Sequence, residues 1–100
     1  MRKLLIIGAS GHGKVCADIA EKMKRWDEIV FADDNPPSTF PYRIIGGSSV
    51  AWDGDCFIGI GNSEIRERFS VGKKLVTLIH PAAVIGDRVD IGAGTVVMAG

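Results

Sequence analysis

The end of this 100-residue chain carries an aliphatic side chain at every sixth position. Ile79, Ile85, Ile91 and Val97 hold this phase, and a glycine follows two of them. A period of six is typical of hexapeptide repeats, which build a β-helix from short strands and tight turns. Three hexads close one triangular coil, and residues 79–96 supply three. The pattern therefore predicts the start of a β-helix, with two ordinary edge strands and glycine turns as the alternative.

Composition places the chain among globular proteins and excludes several classes of function. The apolar fraction of 46% is sufficient for a core, and the charged fraction of 24% is ordinary. Formal net charge is zero and no basic run exceeds two residues, so a nucleic-acid surface is not expected. No apolar stretch is long enough to predict a membrane span. The two histidines and scattered carboxylates show no metal-ligand spacing, so no metal site is predicted.

The two cysteines point to a reducing compartment. Cys16 and Cys56 belong to no Cys-x-x-Cys or metal-type spacing. They fall inside a predicted helix and a predicted strand, and structural thiols in the cytoplasm are expected. A reactive thiol is the alternative.

Aliphatic runs alternate with amphipathic segments before the hexads begin. Strands are predicted over 3–7, 29–32, 42–45, 56–60 and 74–78, helices over 14–26 and 64–71, and a short helical turn over 48–52. Such alternation is typical of a parallel sheet with helices on both faces. The predicted fold class is α/β, with a small Rossmann-like domain over residues 1–78 followed by the first β-helix coil over residues 79–100.

A glycine-rich loop, Gly8-Ala9-Ser10-Gly11-His12-Gly13, follows the first predicted strand. Glycines let backbone N–H groups approach a phosphate, and a helix N-terminus adds partial positive charge. Asp33 follows Gly13 by twenty residues, where a carboxylate can accept hydrogen bonds from a ribose or base. A nucleotide phosphate is predicted, with a tight turn that binds nothing as the alternative. The Gly-x-x-Gly-x-Gly spacing differs from the dinucleotide fingerprint and disfavours NAD.

Other polar residues near this loop each have two possible roles. His12 is either a donor to a phosphate or sugar oxygen or a packing residue. Lys14 either pairs with a phosphate or is an ordinary exposed lysine. Asp34, beside Asp33, serves a uracil or ribose or is a solvated strand end.

Two further residues lie at segment boundaries. Asn62, after Gly61, either contacts the ligand or caps the following helix. His80 is favoured as a side chain that fixes the hinge between sheet and coil, over a catalytic role.

Together these segments resemble a known family. The resemblance rests on four segments of the sequence. They are the run Ile-Ile-Gly-Ala-Ser-Gly-His-Gly-Lys-Val-Cys-Ala-Asp-Ile-Ala, the Asp33-Asp34 pair, Ile60-Gly61-Asn62 and Ile79-His80-Pro81. They resemble bacterial sugar O- and N-acetyltransferases of the sialic acid O-acetyltransferase type, which include enzymes acting on UDP-4-amino sugars. The likeness spans essentially all 100 residues. A Gly-His-Gly-Lys loop joined to downstream hexads is far more specific than either part alone.

The resemblance implies a Rossmann-like domain that binds a nucleotide sugar such as a UDP-sugar, then a left-handed β-helix that forms a homotrimer. Acetyl-CoA binds between neighbouring β-helices. Substrate contacts would fall on Gly11, His12, Gly13, Asp33, Asp34 and Asn62, with Ser10, Lys14 and Gly61 beside them.

The resemblance also implies a histidine general base in a later coil. That histidine and most of the acetyl-CoA site are expected beyond Gly100, so no catalytic residue is assigned within the chain. The chain is therefore expected to be the substrate-binding part of a longer acetyltransferase and inactive alone. A non-catalytic nucleotide-binding module is the alternative, and an NAD-dependent oxidoreductase fragment is disfavoured by the glycine spacing.

Overall fold

The computed structural model describes residues 1–83 and 94–97. The elements are β1 (Lys3–Ile7), α1 (Gly11–Met23), β2 (Glu28–Ala32), β3 (Ile44–Gly46), β4 (Asp55–Ile58), α2 (Ser63–Ser70), β5 (Lys74–Leu75), β6 (Leu78–Ile79) and β7 (Val96–Val97). The hexad positions Ile85 and Ile91 lie outside the described residues. Neither described helix combines the length and the apolar character needed to cross a bilayer.

Five parallel strands form one sheet in the order β3-β2-β1-β4-β5. The central strand β1 pairs along its whole length with β2 and, from Leu4 to Ile7, with β4. This is the order of a doubly wound half-domain, in which the chain starts in the middle and winds outward in both directions. The predicted α/β class and parallel sheet are confirmed.

The two faces of the sheet are covered by different helices. Because strand side chains alternate between faces, Leu4 and Ile6 pack in the core cluster formed with α1, whereas Leu5 and Ile7 belong to the opposite cluster. Phe69 of α2 packs against that opposite cluster. These four aliphatic side chains of β1 are at most 1% exposed. Burial of each stabilises the fold by about 1.5–3 kcal/mol.

Helix α1 begins three residues earlier than predicted and ends three residues earlier. Ser10 caps its start, since the Ser10 hydroxyl accepts the N–H of Gly13 at 3.2 Å. Lys24 ends it in the left-handed conformation, at φ 57°. Glycine has poor helix propensity, which is why Gly11 and Gly13 were assigned to the loop. The serine cap and the packing of Gly13 outweigh that preference.

Two predicted elements differ from the structure in form: the turn or short helix predicted over 48–52 is a turn only, and one predicted strand is divided. Residues 48–52 contain a turn closed by the Val50 N–H and the Gly47 carbonyl at 3.0 Å, and no helix. The strand predicted over 74–78 is divided into β5 and β6. Val76 still donates to Cys56 of β4 at 3.0 Å, but Leu78 donates to Thr95 at 2.8 Å. The chain therefore leaves the large sheet between these residues.

Strands β6 and β7 form a second, parallel pair. Leu78 lies opposite Val96 and Ile79 opposite Val97, so each residue pairs with the one eighteen positions later. Leu78 is completely buried in the cluster that includes α1. The pair is therefore attached directly to the sheet domain.

Candidate functional site

Three loops leave the sheet side by side at the carboxyl ends of β1, β2 and β4. The Gly8 N–H donates to the Ala32 carbonyl and the Gly59 N–H to the Ile7 carbonyl, both at 2.8 Å. These bonds extend the ladders one residue past the strands and hold the loops together. In open parallel sheets, ligands bind at this edge.

The glycines of the first loop have different functions. Gly8 has φ +113°, and a Cβ there would lie 2.9 Å from the Gly59 carbonyl oxygen. A Cβ on Gly13 would be driven into the Gly8 carbonyl oxygen and the Phe31 ring. Gly11, by contrast, has open space around its Cα. Gly8 and Gly13 are therefore required by backbone packing, whereas the surroundings of Gly11 are open to a ligand.

Asp33 joins the first two loops. One carboxylate oxygen accepts the Ala9 N–H at 2.7 Å, and the other accepts the Asn35 N–H at 2.8 Å. The sequence predicted Asp33 at this edge as a ligand acceptor. The structure shows that its carboxylate orders the glycine loop through the bond from the Ala9 N–H.

Asp34 binds a residue from the loop after β3. The Ser48 hydroxyl donates to one Asp34 oxygen at 2.6 Å and the Ser48 N–H to the other at 2.8 Å. These hydrogen bonds lower the pKa of Asp34 below its usual value. The carboxylate is thus held ionised in one orientation, as an acceptor-only group.

A first cleft of about 140 Å³ lies between these loops and α2. It is lined by Ile7, Gly8, Asp33, Asp34, Asn35, Ser48, Ile60 and Phe69. Whole-ligand pockets are typically about 300–1,000 Å³, so this cleft has room for one end of an extended ligand. The cleft is lined by apolar side chains, which suit the face of a ring, and by polar groups, which suit the edge of a ring.

The predicted site residues are only partly brought together. Asp33 and Asp34 line the first cleft, and His12 lines a neighbouring one. Ser10 is the α1 cap, and Lys14 is exposed on α1. Asn62 caps α2, where its side-chain oxygen accepts the Ile65 N–H at 3.0 Å. Gly61, beside it, lines neither cleft.

Several residues that line the first cleft were not predicted from the sequence as ligand contacts. They include Asn35, Ser48, Ile60 and Phe69. The only sequence signal for Phe69 was its predicted inward position on α2. Ser48 reaches the site from a segment whose local sequence suggested only a helical turn.

His80 serves the turn after β6. Its ring Nδ1 accepts the Ala82 N–H at 3.0 Å, while its own backbone N–H donates to the Val97 carbonyl at 2.8 Å. The favoured role, fixing the junction between sheet and coil, agrees with these bonds.

The His12 ring contacts a buried thiol. Its Nε2 lies 3.7 Å from the Cys16 sulfur, one helical turn further along α1. Nδ1 is left as the nitrogen free of this contact. The thiol therefore fixes one side of the imidazole beside the glycine loop.

Both cysteines should be inert in the folded protein. Burial raises the pKa of Cys16 and of Cys56 from 9.0 to about 11, and only the thiolate is nucleophilic. We expect negligible reaction with a disulfide reagent at pH 8 until denaturant is added, when two thiols react. Because the folded state retains these protons longer, the free energy of unfolding should fall as pH rises from about 9 towards 11. Fast reaction of either thiol in the native protein would contradict this.

The fold and this edge define an α/β domain of the doubly wound class with a glycine loop at its ligand edge. The chain belongs to the family described as the PglD N-terminal domain, which matches residues 3–71. The resemblance to sugar acetyltransferases is thereby confirmed at the level of the family.

Named relatives are acetyltransferases. UDP-N-acetylbacillosamine N-acetyltransferase of Bacillus subtilis (strain 168) is 31% identical over 114 residues, covering 99% of this chain and 52% of that protein. The acetyltransferase domain of PglB from Neisseria gonorrhoeae FA1090, in complex with acetyl coenzyme A, is 39% identical with a TM-score of 0.85. That match covers 98% of this chain and 53% of the other.

The structure of a third relative contains both a coenzyme and a nucleotide sugar. A mutant of perosamine N-acetyltransferase from Caulobacter crescentus, in complex with CoA and GDP-perosamine, is 25% identical with a TM-score of 0.83. It is matched over 100% of this chain and 53% of its own. The chain spans about half the length of each of these relatives.

Proposed function

We propose that this chain is the nucleotide-sugar-binding part of a sugar acetyltransferase that uses acetyl-CoA. The observation that carries the proposal is the Asp33 carboxylate, which orders the glycine loop at the carboxyl edge of the sheet beside a cleft of about 140 Å³. The acetyltransferases among the relatives support the same reading. The acceptor is an amino or hydroxyl group of the sugar.

The first cleft suits the nucleoside end of such a ligand. Phe69 and Ile60 offer an apolar surface to a base, and Asp34 and Asn35 offer polar groups to its edge or to the ribose. The phosphates then extend towards the open surroundings of Gly11 and the start of α1, where backbone N–H groups and the helix dipole favour negative charge.

The chemistry proposed for the whole protein is a direct transfer. The acceptor nitrogen or oxygen attacks the thioester carbonyl, a new N–C or O–C bond forms, and the C–S bond breaks to release CoA. A general base removes the acceptor proton, and hydrogen-bond donors stabilise the oxyanion. In our proposal the described residues hold and orient the acceptor. We propose that the general base and most of the acetyl-CoA site correspond to the part of the relatives that this chain does not cover.

We also propose the division into a Rossmann-like domain over residues 1–78 and a first β-helix coil over residues 79–100. The eighteen-residue offset between β6 and β7 supports it, since three hexads per coil require that spacing. Left-handed coiling and a homotrimer, with acetyl-CoA bound between subunits, are part of the same proposal.

Calorimetric titration tests the ligand class. We expect saturable binding of UDP and no binding of NAD, because the glycine spacing is not the dinucleotide fingerprint. In Asp33→Asn the amide cannot accept both loop N–H groups, so affinity for UDP should fall about ten-fold.

The matched control is Asp53→Asn, an exposed aspartate that lines neither cleft. It should bind UDP as the unmodified chain does. Equal binding of NAD and UDP would contradict the proposed ligand class. Unchanged affinity in Asp33→Asn would contradict the role of the ordered loop.

A further inference from the structure

A second cleft lies beside the glycine loop, between the start of α1, helix α2 and strand β7. Its volume is about 320 Å³. Polar side chains come from His12, Arg66 and Thr95, over an apolar floor formed by β4 and β7. None of the sequence motifs pointed to Arg66, which looks like an ordinary solvated position on a charged helix.

The two clefts are lined by different residues that come from the same segments of the chain. The loop after β1 contributes Gly8 to the first cleft, and His12, in the first turn of α1, lines the second. The chain at the end of β4 contributes Ile60 to the first and Ile58 to the second. A ligand with its nucleoside in the first cleft would cross the glycine loop to enter the second.

The charge of the second cleft is positive. Among its described lining residues none is acidic, and Arg66 is the only lysine or arginine. Within residues 1–83 and 94–97 the Arg66 guanidinium forms no ion pair. The other arginine of α2, Arg68, lies 5.5 Å from the centre of the Phe69 ring instead.

We infer that Arg66 binds the diphosphate of the ligand in the second cleft and makes the site discriminate nucleoside diphosphates from nucleosides. A guanidinium presents paired donors that match phosphate oxygens, and charge-assisted bonds of this kind are strong. His12, with its Nδ1 free of the thiol contact, lines the same cleft. For a nucleotide sugar this inference rests on the proposed function.

Calorimetry with four ligands tests the inference. Arg66→Gln should weaken binding of UDP about ten-fold or more, the size expected from losing one charge-assisted hydrogen bond. Affinity for uridine should not change. Arg66→Lys should recover part of the loss. Arg43→Gln is the matched control, because it removes the same charge from an exposed arginine that lines neither cleft, and it should bind UDP normally.

The other outcomes of these titrations distinguish failure of this inference from failure of the proposed function. UDP binding that is equal in Arg66→Gln and the unmodified chain overturns the inference and leaves the proposed function standing. If UDP does not bind but inorganic pyrophosphate binds through Arg66, the anion site stands and the nucleotide-sugar proposal fails. Binding of neither overturns both. Loss of coenzyme A binding alone in Arg66→Gln would assign the diphosphate to the acyl donor and overturn its assignment to UDP.

Discussion

Replacing Gly13 by alanine should destabilise the protein more than any other single change that we predict. The added Cβ would be driven into the Gly8 carbonyl oxygen and would lie 3.1 Å from the Phe31 ring. Gly8 cannot retreat, because its N–H is bonded to Ala32 and its Cα faces the Gly59 carbonyl. We expect a loss of more than about 4 kcal/mol, in the range reserved for severe steric conflict. Domains of this size have about 5–15 kcal/mol in total.

Gly11→Ala is the matched control two residues earlier in the same helix. A Cβ at Gly11 has no neighbouring atom within 4 Å. Its stability should change by less than about 0.5 kcal/mol, or rise slightly because alanine is the better helix former. Chemical denaturation of both variants measures the contrast. Equal stability of the two would contradict the close approach of Gly13 to the β1 loop.

Asp55→Ala should be the second most damaging change. The Asp55 side chain, 8% exposed, accepts hydrogen bonds from Arg2 at 2.9 Å and from the Trp26 indole at 2.8 Å. Lys74 lies 3.5 Å from its other oxygen. Removing the carboxylate leaves a half-buried indole N–H and two cations without their partner. We expect a loss of about 3 kcal/mol, or a drop of about 12–24 °C in Tm.

The pH dependence gives an independent check on Asp55. The Trp26 hydrogen bond lowers the pKa of Asp55, helped by Arg2 and Lys74 and opposed by burial. A lowered folded pKa means that stabilisation is complete above the ordinary value of 3.8 and is lost as pH falls below it. The stability difference between the unmodified chain and Asp55→Ala should therefore shrink below about pH 4. Exposed Asp53→Ala is the control, with an expected change within about 0.5 kcal/mol.

The strands and the ligand edge were predictable because the local pattern determines them. Continuous apolar runs such as 3–7 fit a strand buried on both faces, and the structure has β1 at those residues. Helix α2 was predicted to within one residue, since Asn62 is a strong N-cap and Phe69 continues its apolar face. Asp33 was placed correctly at the carboxyl edge because it directly follows a strand.

Features that depend on distant partners could not be predicted in the same way. The carboxylate of Asp55 is joined to Arg2, which is 53 residues away. Ser48 meets Asp34 across fourteen residues that include strand β3. The division of the strand at residues 74–78 depends on where β7 lies. Periodicity reports which face a residue prefers, and it carries no information about which distant group will meet it there.

The central claim is that the carboxyl edge of this sheet binds a nucleoside diphosphate. Its most direct test is an NMR titration with UDP that follows every backbone amide. We predict saturable shifts at the carboxyl edge, at residues 8–13 and 33–35 and around Ile60 and Arg66. Shifts at the opposite edge instead, around Lys3, Gly54 and Lys74, would contradict the account, as would no shifts at saturating UDP.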